Sequence, residues 1–203
     1  MSARQLNWLD VPAADGDLRR TTDLAAPNVW LDRLWSGEQQ RAWATFDAAP
    51  YMSRVYRYSL GRVLDQKSAS TCAWVMLNPS TADAFADDPT IRRCIGFARA
   101  WGYDRTIIVN LFALRSTDPR ALYSAEDPIG PLNDGAIRGV ASTADVVVAA
   151  WGKHGALHNR GRQVARLIAE AGRPLCCLAM NKDGSPAHPL YQPGRRVPLS
   201  WAP

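Results

Sequence analysis

Four apolar runs constrain what this chain can fold into: residues 72–77 (CAWVML), 106–112 (TIIVNLF), 145–151 (DVVVAAW) and 174–180 (PLCCLAM). None shows the polar alternation of a strand with one wet face. Each is too short for a core helix, so each reads as a strand buried on both sides. Helix-patterned segments lie between them. Ile91, Cys94, Ile95, Ala98 and Trp101 keep helical spacing until Gly102, and residues 131–142 and 160–171 read as further helices. Strands alternating with helices imply a mainly parallel sheet with helices on both faces. The expected fold is α/β: a three-layer α/β/α domain with a four-stranded parallel centre. Residues 54–60 (RVYRYSL) alternate and should add an antiparallel edge strand.

A chain of 203 residues, 47% of them hydrophobic, suits one domain with a sizeable core. Residues 1–48 differ from the rest and form an expected N-terminal arm with Trp8, Trp30, Trp35 and Trp43; residues 49–203 form the α/β domain. The arm is either packed on the domain or a partner, or a partly disordered extension. A short helix is plausible over residues 37–46. There is no membrane-length apolar run and no basic-then-apolar leader pattern, so a cytoplasmic location is expected. Cys72, Cys94, Cys176 and Cys177 lack CxxC spacing and are expected as free thiols.

Function should sit at the carboxyl ends of the strands, where open α/β sheets bind ligands. Right-handed crossovers put the strand–helix loops at one edge. The stretch after residue 77 is the richest: NPSTADAFADDPT, with Asn78, Pro79, Ser80, Thr81, Asp83, Asp87, Asp88 and Thr90. Asn110 to Arg115, Trp151 to His154 and Asn181 to Tyr191 follow the other strand ends, and all should meet in one cleft. No Walker P-loop or GxGxxG occurs, which argues against nucleoside triphosphates and dinucleotides.

The net charge is +5, and only Lys67, Lys153 and Lys182 of the 24 basic residues are lysine. Arginine suits phosphate-bearing partners such as nucleic acid or nucleotides. The same bias is what a GC-rich genome encodes.

The segments YRYSLGRVL, MLNPSTADAFADDPTIRRCIGFARAWGY, IIVNLFALRSTDP, AAWGKHG and the closing HPLY resemble the bacterial and phage family called domain of unknown function 1643. The resemblance spans about residues 46–201 and implies no activity. A more distant similarity is to uracil-DNA glycosylases of the small, mismatch-type and thermophilic branches, which share a four-stranded parallel α/β/α sheet. Asn78-Pro79 resembles their water-positioning motif after the first strand. Asn110 and Arg115 resemble the Asn and Arg-containing loop after the second. His188-Pro189-Leu190-Tyr191 shares only His-Pro with their last loop.

That similarity implies cleavage of an N-glycosidic bond, with Asn78, Asp83 and His188 as the catalytic candidates. Asn78 or Asp83 would hold the water, His188 would donate to the base oxygen, and Asn110 would read the Watson–Crick edge. Phe112 or Tyr191 would stack on the base. Pro79, Ser80, Arg115, Trp151 and His154 complete the ligand-binding set, and Arg92, Arg93, Arg195 and Arg196 would grip phosphates. Each has a plainer role in competition. Asn78 would satisfy its own turn, Asp87 or Asp88 would cap a helix with Pro89 in its first turn, and Phe112 would be core. His188 would bond a loop carbonyl, and Arg92 and Arg93 would form a solvated helix face. Two further readings remain open. Asp83, Asp87 and Asp88 would hold Mg²⁺ for phosphoryl or nucleotidyl transfer, or the chain binds a nucleotide without chemistry. His154 and His158 lack a third ligand, so no metal and no cofactor is expected. Oligomeric state stays open.

Overall fold

The computed structural model describes residues 20–22, 29–36, 39–47, 54–65 and 67–202. Nine strands among them form one sheet. Its first four strands are β1 (Arg20–Thr22), β2 (Val29–Ser36), β3 (Gln39–Asp47) and β4 (Arg57–Val63), each antiparallel to the next. Then come β5 (Thr71–Met76), α1 (Pro89–Ala100), β6 (Arg105–Asn110), α2 (Ala121–Ser124) and α3 (Asn133–Thr143). They are followed by β7 (Val146–Ala149), α4 (Arg160–Glu170), β8 (Leu175–Cys177) and β9 (Leu199–Ser200). The strand order is β1-β2-β3-β4-β6-β5-β7-β8-β9.

The four apolar runs are β5, β6, β7 and β8, and they pair side by side in parallel as expected. Their residues alternate between two cores. Ala73, Val75, Ile107, Val109 and Val147 pack with Ile137 and Val140 of α3 and Val164 and Ile168 of α4. Cys72, Trp74, Met76, Ile108 and Val148 pack with Ile91, Cys94, Phe97 and Ala98 of α1. Helices cover both faces, so apolar side chains are needed at every strand position. This is the three-layer arrangement. All four cysteines are free, and Cys72, Cys94 and Cys177 are buried.

Two expectations are corrected. The helix expected over residues 37–46 is β3. Ala42, Trp43, Ala44, Thr45 and Phe46 are all buried, so the segment lies inside the sheet with both faces covered and shows no alternation. The strand expected at an antiparallel edge, β4, is antiparallel to β6 but has β3 on its other side. Gly61 permits that join: a Cβ there would lie 2.1 Å from the Trp43 ring. Much of the expected Trp-rich arm, Trp8 included, lies outside the described residues; β1 to β3 extend the sheet.

Helix α1 begins as its sequence predicts. Asp88 is the N-cap, its carboxylate accepting from the Ile91 N–H at 2.8 Å, and Pro89 opens the first turn. The chain leaves at Gly102 with φ +82°. Trp101 stacks on Trp74 at 5.6 Å and completes that side of the core.

The parallel strands run β6-β5-β7-β8. From β5 the chain passes through α1 to β6 on one side, then returns through α3 to β7 on the other. The helices of two right-handed crossovers in opposite directions must lie on opposite faces, as α1 and α3 do. The direction of winding therefore reverses beside β5. The crevice at the carboxyl ends of β5 and β7 is the topological switch point, the usual ligand position in open α/β sheets.

Candidate functional site

A cavity of about 580 Å³ opens at that switch point. Met76, Leu77, Asn78 and Ser80 line it from the end of β5, and Asn110 from the end of β6. Trp151 to His154 follow β7, and Asn181, Ala187, His188, Tyr191 and Gln192 follow β8. The convergence of four strand ends is the one their order requires.

Asn110 is 1% exposed, and among the described residues neither its amide oxygen nor its amide nitrogen has a hydrogen-bond partner. Its main chain is firmly held. Asn133, at the start of α3, donates to the carbonyls of Asn110 and Leu111 at 3.0 and 2.9 Å. The buried Arg160 donates through Nε to Leu111 O at 2.9 Å and pairs with Asp134. Main-chain bonds from Leu111 N to Met76 O and from Phe112 N to Leu77 O carry the parallel pairing past the strand end. A rigid frame thus holds an amide with donor and acceptor both unpaired in the cavity lining.

Arg57 is the other deeply buried polar lining residue, at 2% exposure. Strict alternation would set it on the face of Ser59, whose hydroxyl meets Thr45 at 2.8 Å. The register shifts there: Thr45 opposes Ser59, but Phe46 opposes Arg57, so Tyr58 is an extra residue. Such a bulge flips the residues before it to the other face. Arg57 joins Phe46 and Leu60 on the α1 side, where its Nη1 donates to Ala82 O at 2.5 Å. Burial, and then the neighbouring Arg115, push its pKa down to about 9.

The segment after β5 is pinned by side chains. Arg62 donates to Asp83 O and pairs with the Asp87 carboxylate at 2.7 Å. Asp83 Oδ1 accepts from the N–H groups of Phe85 and Ala86, closing a turn. Asn78 Nδ2 donates to the carbonyls of Pro79 and Ser116 at 3.1 and 2.8 Å. Only an NH₂ group satisfies two carbonyls, so the side-chain oxygen of Asn78 is the atom left for a ligand.

Across the cavity, His188 Nδ1 accepts from Leu190 N at 3.3 Å. Burial pushes the imidazole below its ordinary pKa, opposed by the Asp88 carboxylate. The neutral ring then carries its proton on Nε2. The Tyr191 ring lies 5.7 Å from that of His188, and His154 Nδ1 meets the Tyr123 hydroxyl at 3.0 Å.

Of the candidate residues, Asn78, Ser80, Asn110, Trp151, His154, His188 and Tyr191 line this one cavity. Asp83, Pro79, Phe112 and Arg115 do not. Pro79 is buried beneath the turn, with its carbonyl bonded to Asn78 and Ser116. Phe112 belongs to the core. Arg115 lies over the Phe46 ring at 5.2 Å. The phosphate-gripping candidates lie outside the lining. Arg92 donates to Asp87 O, Arg93 to Gln192 O, and Arg195 and Arg196 are exposed on the tail. Sequence reasoning missed Arg57, because a bulge has no sequence signal that strand periodicity can read. Asp88, foreseen as a cap, also lines the cavity. Among the described residues, no three His, Cys, Asp or Glu side chains cluster so as to hold a metal ion, and no helix is long and apolar enough to cross a membrane.

A family model described as a protein of unknown function (DUF1643) matches residues 57–190, more than half of the chain, and the chain belongs to that family. No curated protein and no solved structure matches it.

Proposed function

We propose that this member of the DUF1643 family is a nucleobase-directed enzyme of the glycosylase type, cleaving an N-glycosidic bond in the strand-end cavity. The observation that carries the reading is Asn110: a buried amide on a rigid strand end, with donor and acceptor both unpaired. Buried polar groups are almost always satisfied, and a planar heterocycle edge satisfies this pair. In this reading Tyr191, 80% exposed at the rim, stacks on the entering base. The sugar lies toward Asn78, whose side-chain oxygen accepts from and orients a water. The water oxygen bonds to the anomeric carbon as the carbon–nitrogen bond breaks. The bonding pair leaves with the base as an anion, whose oxygen accepts a hydrogen bond from His188 Nε2–H; the proton lost by the water passes to Asp88 and from there to the departed base. The similarity of Asn78-Pro79 and Asn110 to glycosylase motifs supports the same roles. DNA or a free nucleotide is the proposed partner.

A second reading, a nucleobase-binding module without chemistry, is favoured by the engagement of Asp88 Oδ1 in capping α1. The Mg²⁺ reading is weaker, because Asp83, Asp87 and Asp88 are each engaged in a turn, an ion pair or a cap. The test is release of free base from uracil-containing, deaminated and alkylated oligonucleotides and from the matching nucleotides. Asn78→Ala or His188→Ala should lower the rate roughly 10²-fold or more. Binding without release from any substrate would put the binding module first.

A further inference from the structure

Three arginines are buried among the described residues: Arg57, Arg62 and Arg160. Arg62 pairs with Asp87 at 2.7 Å, and Arg160 pairs with Asp134. Among the described residues Arg57 has no carboxylate in ion-pair distance. One of its nitrogens bonds Ala82 O, and its Nε is buried with no acceptor. A buried guanidinium that keeps its charge demands a compensating anion, and the protein supplies one to the other two. The unpaired one is the one that lines the cavity. It is also the one that the bulge at Tyr58 aims there, and bulges recur where a side chain is re-aimed beside a site.

We propose that Arg57 is an oxyanion subsite: the cavity takes a ligand whose negatively charged oxygen seats against the Arg57 guanidinium, beside the Asn110 amide. Arg57 and Asn110 stand on adjacent strands, and both line the cavity on the α1 side of the sheet. The exposed Lys153 adds positive charge to the lining, and Asp88, the one carboxylate among the described lining residues, has an oxygen engaged in its cap. The oxyanion belongs either to the ring system or to a phosphate. The inference deepens the nucleobase reading of this cavity and rests on it.

The experiment is calorimetric titration of the full chain with paired probes: uracil against its 6-carboxylate, and nucleosides against their 5′-monophosphates. In at least one pair the anionic member should bind about tenfold or more tightly than the neutral one. A gain with the carboxylate places the oxyanion on the ring; a gain with the monophosphates places it on phosphate. Arg57→Gln should abolish the gain, and Arg57→Lys should retain part of it. Equal binding of charged and neutral members by the wild-type chain, no binding of any anionic member, or an undiminished gain in a folded Arg57→Gln chain would overturn the subsite. If Arg57→Gln does not fold, the wild-type series and Arg57→Lys decide. Failure of base release leaves this series untouched, so the two readings fall separately.

Discussion

Asn133, at the first turn of α3, donates both hydrogens of its amide to the main-chain carbonyls of Asn110 and Leu111, at 3.0 and 2.9 Å. A side chain from one layer thereby terminates a strand of another. The carbonyls at a parallel strand's end have no further ladder partner, and burial makes them costly to leave unpaired. Asn133 is 0% exposed, so water cannot take its place without rearrangement.

Asn133→Ala should therefore destabilise the chain by about 2 kcal/mol, within the range for stranding buried acceptors. It should also weaken ligand binding, because the frame that orients Asn110 loosens. Urea denaturation and titration of the folded variant measure the two effects. A variant with unchanged stability would show that Arg160 alone holds the strand end.

The two neighbouring aspartates should separate by role. Asp88 caps α1, so Asp88→Ala should cost about 1 kcal/mol and Asp88→Asn much less, because an amide oxygen also accepts from Ile91 N. Asp87 faces Arg62 instead, and Asp87→Asn should leave α1 intact while loosening the segment after β5. Helicity by circular dichroism and hydrogen exchange over residues 78–88 distinguish them. Equal loss of helix in both variants would contradict the assignment.

His188 ties stability to pH. Burial holds its folded pKa below the ordinary 6.5, with Asp88 opposing the shift. Between the lowered value and 6.5 the unfolded chain takes up a proton that the folded chain does not. The contribution is fully present above pH 6.5 and is lost as pH falls through the folded value. His188→Gln should flatten this part of the profile in urea midpoints taken from pH 5 to 8. An identical slope in the variant would assign the dependence to other groups.

The parallel centre was legible because strands buried on both faces leave no polar positions. Residues 72–77 and 106–112 could be read as such strands without knowing which helix covers which side. The cleft followed from that, since strand ends converge by topology alone. Around Trp43 the same signal misled. Residues 42–46 are buried on both faces, and so lack the strand alternation that separates a short strand from a helix. Arg57 was hidden for a different reason. Its orientation depends on the extra residue at Tyr58, and an insertion in register is a property of two strands, not of either sequence. That Arg92, Arg93, Arg195 and Arg196 stand outside the lining was equally illegible, because charge count carries no direction.

Asn110 offers the sharpest separation of stability from function. Its amide oxygen and nitrogen are buried with no partner among the described residues, so the fold carries their desolvation without a compensating bond from the protein. Leucine has nearly the same shape and no polar atoms. Asn110→Leu should therefore stabilise the ligand-free chain by about 1 kcal/mol or more, and should abolish nucleobase binding and any base release. Asn110→Asp should do the opposite to stability, since it would bury a charge on the same rigid strand end. Urea denaturation of the three chains, with titration of free bases, reads both quantities. A large loss of stability in Asn110→Leu would mean that the amide serves the fold, and the cavity would lose its main claim to a ligand.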